Sequence, residues 1–250
     1  MSMNDKNSID PSQKKHAESI MLTRAEMKEA TDDRVYEISR EFTQGFKFLE
    51  NHPRSVTIFG SARFLEDHPD YVKARHLAGR IVTNLNYTIV TGGGPGIMEA
   101  ANRGAKENGG NSIGLTIRLP KEQIMNDYMT SHVDFYYFFS RKVCLAYSAE
   151  AFLFFPGGYG TLDEFFEIVT LLQTRKIPRL PVILVGSEFW NEVLKFMENT
   201  LLNRKTIDQI DISLFTILDD EDKILEILKK APIHEFTPYN GLRVNPIESS

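Results

Sequence analysis

Three glycines fall within four positions in the stretch PGGYGTLDEFFE (residues 156–167): Gly157, Gly158 and Gly160, with Tyr159 between the last two. Thr161, Leu162, Asp163, Glu164 and Glu167 follow directly. Glycine lets backbone N–H groups approach a ligand closely, and a helix starting there adds its positive end, so the turn suits an anion such as phosphate. The carboxylates then need a different client, and the hydroxyl groups of a sugar carried by that phosphate would serve. A purely local account competes with this one. Thr161 and Glu164 have the spacing of a capping box, with Glu164 reaching back to the helix cap, and Asp163 and Glu167 are favourable charges near a helix start.

Two further turns share the same character: Gly60-Ser61-Ala62 and Gly92-Gly93-Gly94-Pro95-Gly96. Each ends an apolar run, and the second opens a helical stretch. Neither is a P-loop, because no Gly-Lys-Ser/Thr follows, and the dinucleotide fingerprint is incomplete: Ile97 holds the place of its third glycine. A mononucleotide or a sugar phosphate fits these turns better. Arg141-Lys142 supplies positive charge at the start of a helix, against the helix dipole, and Arg141 is read either as a surface residue or as reaching over the strand ends to the ligand. Met98 and Cys144 read as packing residues.

The elements that must position these residues alternate. SVTIFG, YTIVTG, NSIGLTI, AFLFF and PVILVG are apolar runs separated by amphipathic stretches of helical period. This pattern predicts an α/β chain: a Rossmann-like, doubly wound, mainly parallel sheet with helices on both faces. Ligands of such sheets bind beyond the carboxyl ends of the strands, where the glycine turns lie. Ahead of the first strand, Met27, Val35, Ile38, Phe42, Phe46 and Leu49 predict a helical extension. The expected organisation is therefore a disordered terminus and helix over 1–52, a nucleotide-binding domain over 53–232 and a tail over 233–250.

With 250 residues, 42% of them hydrophobic, the chain suffices for one sizeable α/β domain. A net charge of −5 argues against nucleic acid as a partner. Without a long apolar span or a signal-peptide core, the expectation is no membrane and a cytoplasmic location. One cysteine and six histidines without HxxxH spacing argue against a disulfide framework or a metal site.

The stretches GGGPGIMEAANRGA, SRK and PGGYGTLDE resemble the LOG family, the cytokinin riboside 5'-monophosphate phosphoribohydrolases, many of which carried the label lysine decarboxylase. The hallmark PGGxGTxxE is met by Pro156, Gly157, Gly158, Gly160, Thr161 and Glu164, within a resemblance spanning about residues 54–232. It implies hydrolysis of the N-glycosidic bond of a nucleoside 5'-monophosphate to free base and ribose 5-phosphate, with no cofactor, by a homodimer or a multiple of dimers. The family's catalytic Arg and Glu fall on Arg141 and Glu164, and its nucleotide contacts fall on Lys142, the 157–163 turn, Glu122, Thr170, Met98 and Ser61. The N-terminal extension and the GSARF turn resemble the longer bacterial subgroup, for which adenosine monophosphate is as plausible a substrate as a cytokinin nucleotide. A non-catalytic nucleotide-binding module on the same fold is the alternative. The apolar residues around the TLDEFFEIVTLLQT helix suggest it as a dimer contact.

Overall fold

The computed structural model describes residues 24–52, 54–118 and 125–232. The expected disorder near the N-terminus, the tail over 233–250 and Glu122 lie outside the described residues. The elements are α1 (Arg24–Glu50), β1 (Ser55–Phe59), α2 (Pro69–Leu85), β2 (Thr88–Thr91), α3 (Ile97–Glu107), β3 (Ser112–Ile117) and β4 (Ser131–Phe135). They continue through α4 (Phe138–Tyr147), β5 (Ala151–Phe154), α5 (Tyr159–Gln173), β6 (Val182–Leu184), α6 (Ser187–Phe196), β7 (Thr216–Ile217) and α7 (Glu221–Lys229).

Among the described residues, seven strands form one parallel sheet in the order β4-β3-β2-β1-β5-β6-β7. The chain thus builds outwards from β1 to β4, then returns to the other side of β1 to lay down β5, β6 and β7. Strands β1, β2, β3, β5 and β6 are buried along their whole length, as both-face coverage requires. Successive side chains serve opposite layers. Val56, Ile58, Ala151 and Leu153 pack with α2, α3 and α7. Phe59, Phe152 and Phe154 pack with α4, α5, α6 and Leu49 of α1.

Local chemistry sets several boundaries. Pro69 stands in the first turn of α2, His68 accepts from the Asp70 N–H at 3.2 Å, and Asn86 ends the helix in the left-handed region (φ 54°). Asp220 caps α7 through the N–H groups of Asp222 and Lys223. Behind β5, Phe154 stacks on Phe59 at 4.8 Å and meets Phe165 and Trp190 edge-on, and Trp190 Nε1 donates to the Phe154 carbonyl at 3.0 Å. Such aromatic pairs contribute about 0.5–1.5 kcal/mol each beyond area burial, and here they fix the strand that feeds the PGGYGT turn.

The chain divides into two compact units at Arg40/Glu41. Met27, Val35 and Tyr36 in the first are exposed, whereas Glu41, Gly45 and Leu49 are buried in the second. No helix among the described residues is long and apolar enough to cross a membrane.

Candidate active site

β1 and β5 are neighbours whose chains continue to opposite halves of the sheet, so a crevice opens beyond their carboxyl ends. A cavity of about 770 Å³ lies there, lined by residues 59–63 after β1, residues 158–164 after β5, Gly92, Met98, and Phe138, Arg141 and Leu145 of α4. That volume falls within the range of small-molecule sites.

The turn after β5 differs from the capping-box expectation. Helix α5 starts at Tyr159, with Gly158 as its extended N-cap (φ −93°, ψ −155°) and no side-chain cap. Thr161 therefore stands in the first turn, and Glu164 lies beyond reach of the cap. The first bond of the helix runs from Leu162 N to the Gly158 carbonyl at 3.0 Å, which leaves the N–H groups of Tyr159, Gly160 and Thr161 without intrahelical acceptors. A Cβ added at Gly158 or Gly160 would meet nothing within 4 Å, so these glycines hold the mouth open rather than relieve crowding.

Gly157 serves a different purpose. A Cβ there would lie 2.1 Å from Thr161 Oγ1 and 2.9 Å from Ser61 N. Ser61 N donates to the Pro156 carbonyl at 3.0 Å, and the Ser61 carbonyl accepts from Ile97 N at 2.9 Å, so the β1 turn ties the other two together. Gly96 (φ 70°) meets the same carbonyl, which would sit 2.2 Å from an added Cβ. Behind this junction a buried network holds the second turn: Asn126 Nδ2 donates to the Gly94 carbonyl, and Thr91 Oγ1 and Asn126 Nδ2 both donate to Asn102 Oδ1.

Glu164 is only 7% exposed. Burial raises its carboxyl to about 7 against the opposing pull of Lys142 and Arg141, with Glu167 and Asp163 adding to the rise. Arg141 is half-buried in the same wall, 5.6 Å from the centre of the Phe138 ring, and its Nε is buried without a hydrogen-bond partner. Burial pushes the guanidinium below its ordinary value and Glu164 pulls it back, so it remains a cation with an unused donor.

Lys142 does not line the cavity. Its Nζ lies 2.8 Å from Asp163 Oδ2 and 2.5 Å from Glu167 Oε2, which ties α4 to α5. Burial pushes this ammonium down, but the two carboxylates outweigh that effect and hold it above its ordinary value. Of the other expected contacts, Gly60, Ser61, Met98, Gly158, Tyr159, Gly160, Thr161, Leu162 and Asp163 line the cavity. Gly157, Gly93, Gly94 and Thr170 stand off it, and the exposed Thr170 donates its hydroxyl to the Phe166 carbonyl. Ala62 and Gly92, from the two other glycine turns, also line it, and Phe59, Arg63, Phe138 and Leu145 line it without having been singled out from the sequence. Arg63 is an exposed cation whose N–H donates to Ser61 Oγ at 3.1 Å; its signal was its place in the GSARF turn. Among the described residues, no three His, Cys, Asp or Glu side chains converge as a metal site requires.

A family model described as a possible lysine decarboxylase matches residues 98–228, more than half of the chain and both Arg141 and Glu164. The cytokinin riboside 5'-monophosphate phosphoribohydrolase LOG7 of Arabidopsis thaliana is 29% identical over 137 residues, covering 53% of this chain and 62% of that protein. LOG3 of the same plant is 28% identical over 212 residues, covering 80% and 91%. The chain belongs to the LOG family. Its fold is shared with the molybdenum cofactor carrier protein of Chlamydomonas reinhardtii, at 25% identity and a TM-score of 0.53, over 72% of this chain and 98% of that one. Within the LOG-family match, the decarboxylase description finds no support in Lys142. A Schiff-base lysine must be available as a neutral amine, and two carboxylates hold this one as ammonium.

Proposed function

We propose that the chain hydrolyses the N-glycosidic bond of a nucleoside 5'-monophosphate, releasing free base and ribose 5-phosphate. One observation carries this reading: an arginine with a buried, unused donor and a carboxyl raised to about 7 share a cavity with an uncapped, side-chain-free helix start. The open N–H groups of Tyr159, Gly160 and Thr161 suit the 5'-phosphate, with Arg63 across the mouth as a second source of positive charge. The ribose then lies against Glu164. As the C1'–N bond breaks, positive charge develops on the sugar ring, and the Glu164 carboxylate stabilises it and takes a proton from the attacking water. The water oxygen bonds to C1', the bond's electron pair leaves with the base, and the departing base takes up a proton from solvent as Glu164 gives its own back. Arg141 holds the reacting end of the substrate, while the phosphate grip supplies remote binding energy that orients it. Adenosine monophosphate and cytokinin nucleotides are both candidate substrates.

The assembly we propose is a homodimer, through a different helix from the one suggested by the sequence. Phe165, Ile168, Val169 and Leu172 of α5 are consumed by the chain's own core, and Phe166 and Leu171 pack against it. Helix α4 instead exposes Phe139, Val143 and Tyr147, spaced four residues apart, at 47%, 40% and 54%.

Incubating the protein with a panel of nucleotides and separating the released bases by chromatography tests the reaction. Wild type should release base, and Arg141→Ala and Glu164→Gln should not. A second reading, binding without turnover, is favoured by the structural likeness to the Chlamydomonas carrier protein, which carries its cofactor. It wins if nucleotides bind yet no base is released.

A further inference from the structure

Helix α4 carries Arg141 in its first turn, yet its own sequence supplies no cap. The N-cap residue is Tyr137, in extended conformation, with no side-chain hydrogen bond. The missing acceptor comes from residue 41, some hundred positions upstream. Glu41 is 7% exposed, and its carboxylate takes three donors from the start of α4. Tyr136 N donates to Oε1 at 2.5 Å, Tyr137 N donates to Oε2 at 3.3 Å, and the buried Ser140 hydroxyl donates to Oε2 at 2.5 Å. The Tyr137 carbonyl in turn accepts from Arg141 N at 3.3 Å, so the Arg141 backbone stands one peptide unit from the Glu41 clamp.

The rest of this helical segment follows the same course. The Phe42 ring meets Phe139 at 6.5 Å, and the Phe46 ring meets Tyr147 edge-on at 5.2 Å. Between them, a Cβ added at Gly45 would lie 2.6 Å from Cys144 Sγ, so the two helices are in direct contact where the carboxylate clamps the end. A buried anion at a helix N-terminus is favoured by the helix dipole and by charge-assisted bonds to unpaired N–H groups. Such a position is not needed to bury α4, whose apolar residues Leu145 and Ala146 already join the core.

We propose that Glu41 is a positioning residue for catalysis: it fixes the first turn of α4 and thereby the placement of Arg141, making residues 41–50 a working part of the site. The inference rests on the proposed hydrolase reading. It predicts a loss in the chemical step with little loss in phosphate binding, because the phosphate grip is on α5. Displacements of about 1 Å at a reacting group cost up to about a hundredfold in rate.

The test is Glu41→Gln, which keeps the shape but offers one acceptor oxygen and turns an NH₂ towards the donors. Base release from the nucleotide, ribose 5-phosphate affinity by calorimetry and thermal melting are measured together. The expected result is a kcat lower by about tenfold or more, with ribose 5-phosphate affinity within about threefold of wild type. Wild-type kcat in a folded Glu41→Gln protein overturns the inference, as does a loss of kcat matched by an equal loss of ribose 5-phosphate affinity. Should that variant fail to fold, Ser140→Ala removes a single donor from the same clamp. It is expected to lower kcat about two- to fivefold at unchanged affinity, and wild-type kcat there overturns the inference. Wild-type protein that releases no base overturns the hydrolase reading itself, which is a separate outcome from a wild-type rate insensitive to Glu41.

Discussion

Glu164→Gln should stabilise the protein at alkaline pH while abolishing turnover. The carboxyl is buried among apolar neighbours and two cations, and the balance raises it from an ordinary 4.5 to about 7. Below pH 4.5 it is protonated in both the folded and the unfolded chain. Between 4.5 and about 7 the unfolded chain ionises it while the folded chain retains the proton, so stability falls as pH rises. Above 7 the whole penalty is present, about 3 kcal/mol at 1.36 kcal/mol per pH unit. Gln carries no such penalty and occupies the same volume. At roughly 2–4 °C per kcal/mol for a chain of this size, the variant should gain about 6–12 °C over wild type on going from pH 4.5 to pH 8. Differential scanning calorimetry of both proteins at the two pH values measures this gain, and other titrating groups cancel in the comparison. Melting curves that stay parallel between the two pH values would refute the reasoning, since Glu164 would then titrate as an exposed carboxylate. It would also lose the environment that suits a general base near neutral pH.

The same carboxyl should give kcat/KM an acid limb near pH 7, and Lys142→Met should move that limb to higher pH, because Lys142 is the strongest of the charges holding Glu164 down. A limb that stays in place would show that the α4–α5 ion pairs do not reach the reacting carboxyl. Arg63→Ala should weaken ribose 5-phosphate binding by roughly tenfold, the value of one charge-assisted contact at about 1.5 kcal/mol, and calorimetry reads this directly. Val143→Glu should convert a dimer into a monomer of 28.6 kDa by light scattering, and a wild type that is itself monomeric at micromolar concentration would contradict the proposed interface.

The sheet and its helices were legible because buried parallel strands write themselves as unbroken apolar runs. AFLFF and SVTIF announce β5 and β1 with few interruptions. The order of those strands was not legible, since no local signal says that β5 returns beside β1. Glu164 and the 158–163 turn belong to one strand–turn–helix unit, so their common place at the cavity could be read from spacing, whereas Arg141 reaches the same cavity from α4. The capping box failed because α5 begins at Tyr159, two residues ahead of Thr161, which local spacing alone does not reveal. Gly157 looked like part of the anion grip, but its bare Cα makes room for Thr161 and Ser61. Lys142 looked like a ligand contact, but its partners sit on another helix, 21 and 25 positions away. Glu41 meets its donors at residues 136, 137 and 140, so no neighbour in sequence betrays those contacts.

The central claim is that the start of α5 grips a 5'-phosphate while Glu164 and Arg141 act on the sugar beyond it. The most direct measurement compares base release from adenosine 5'-monophosphate and from adenosine by the same wild-type protein. Loss of two charge-assisted phosphate contacts, at about 1.5–3 kcal/mol each, should lower kcat/KM for adenosine by a hundredfold or more. Equal kcat/KM for the two substrates would contradict the phosphate grip and leave Gly158 and Gly160 without the role assigned to them.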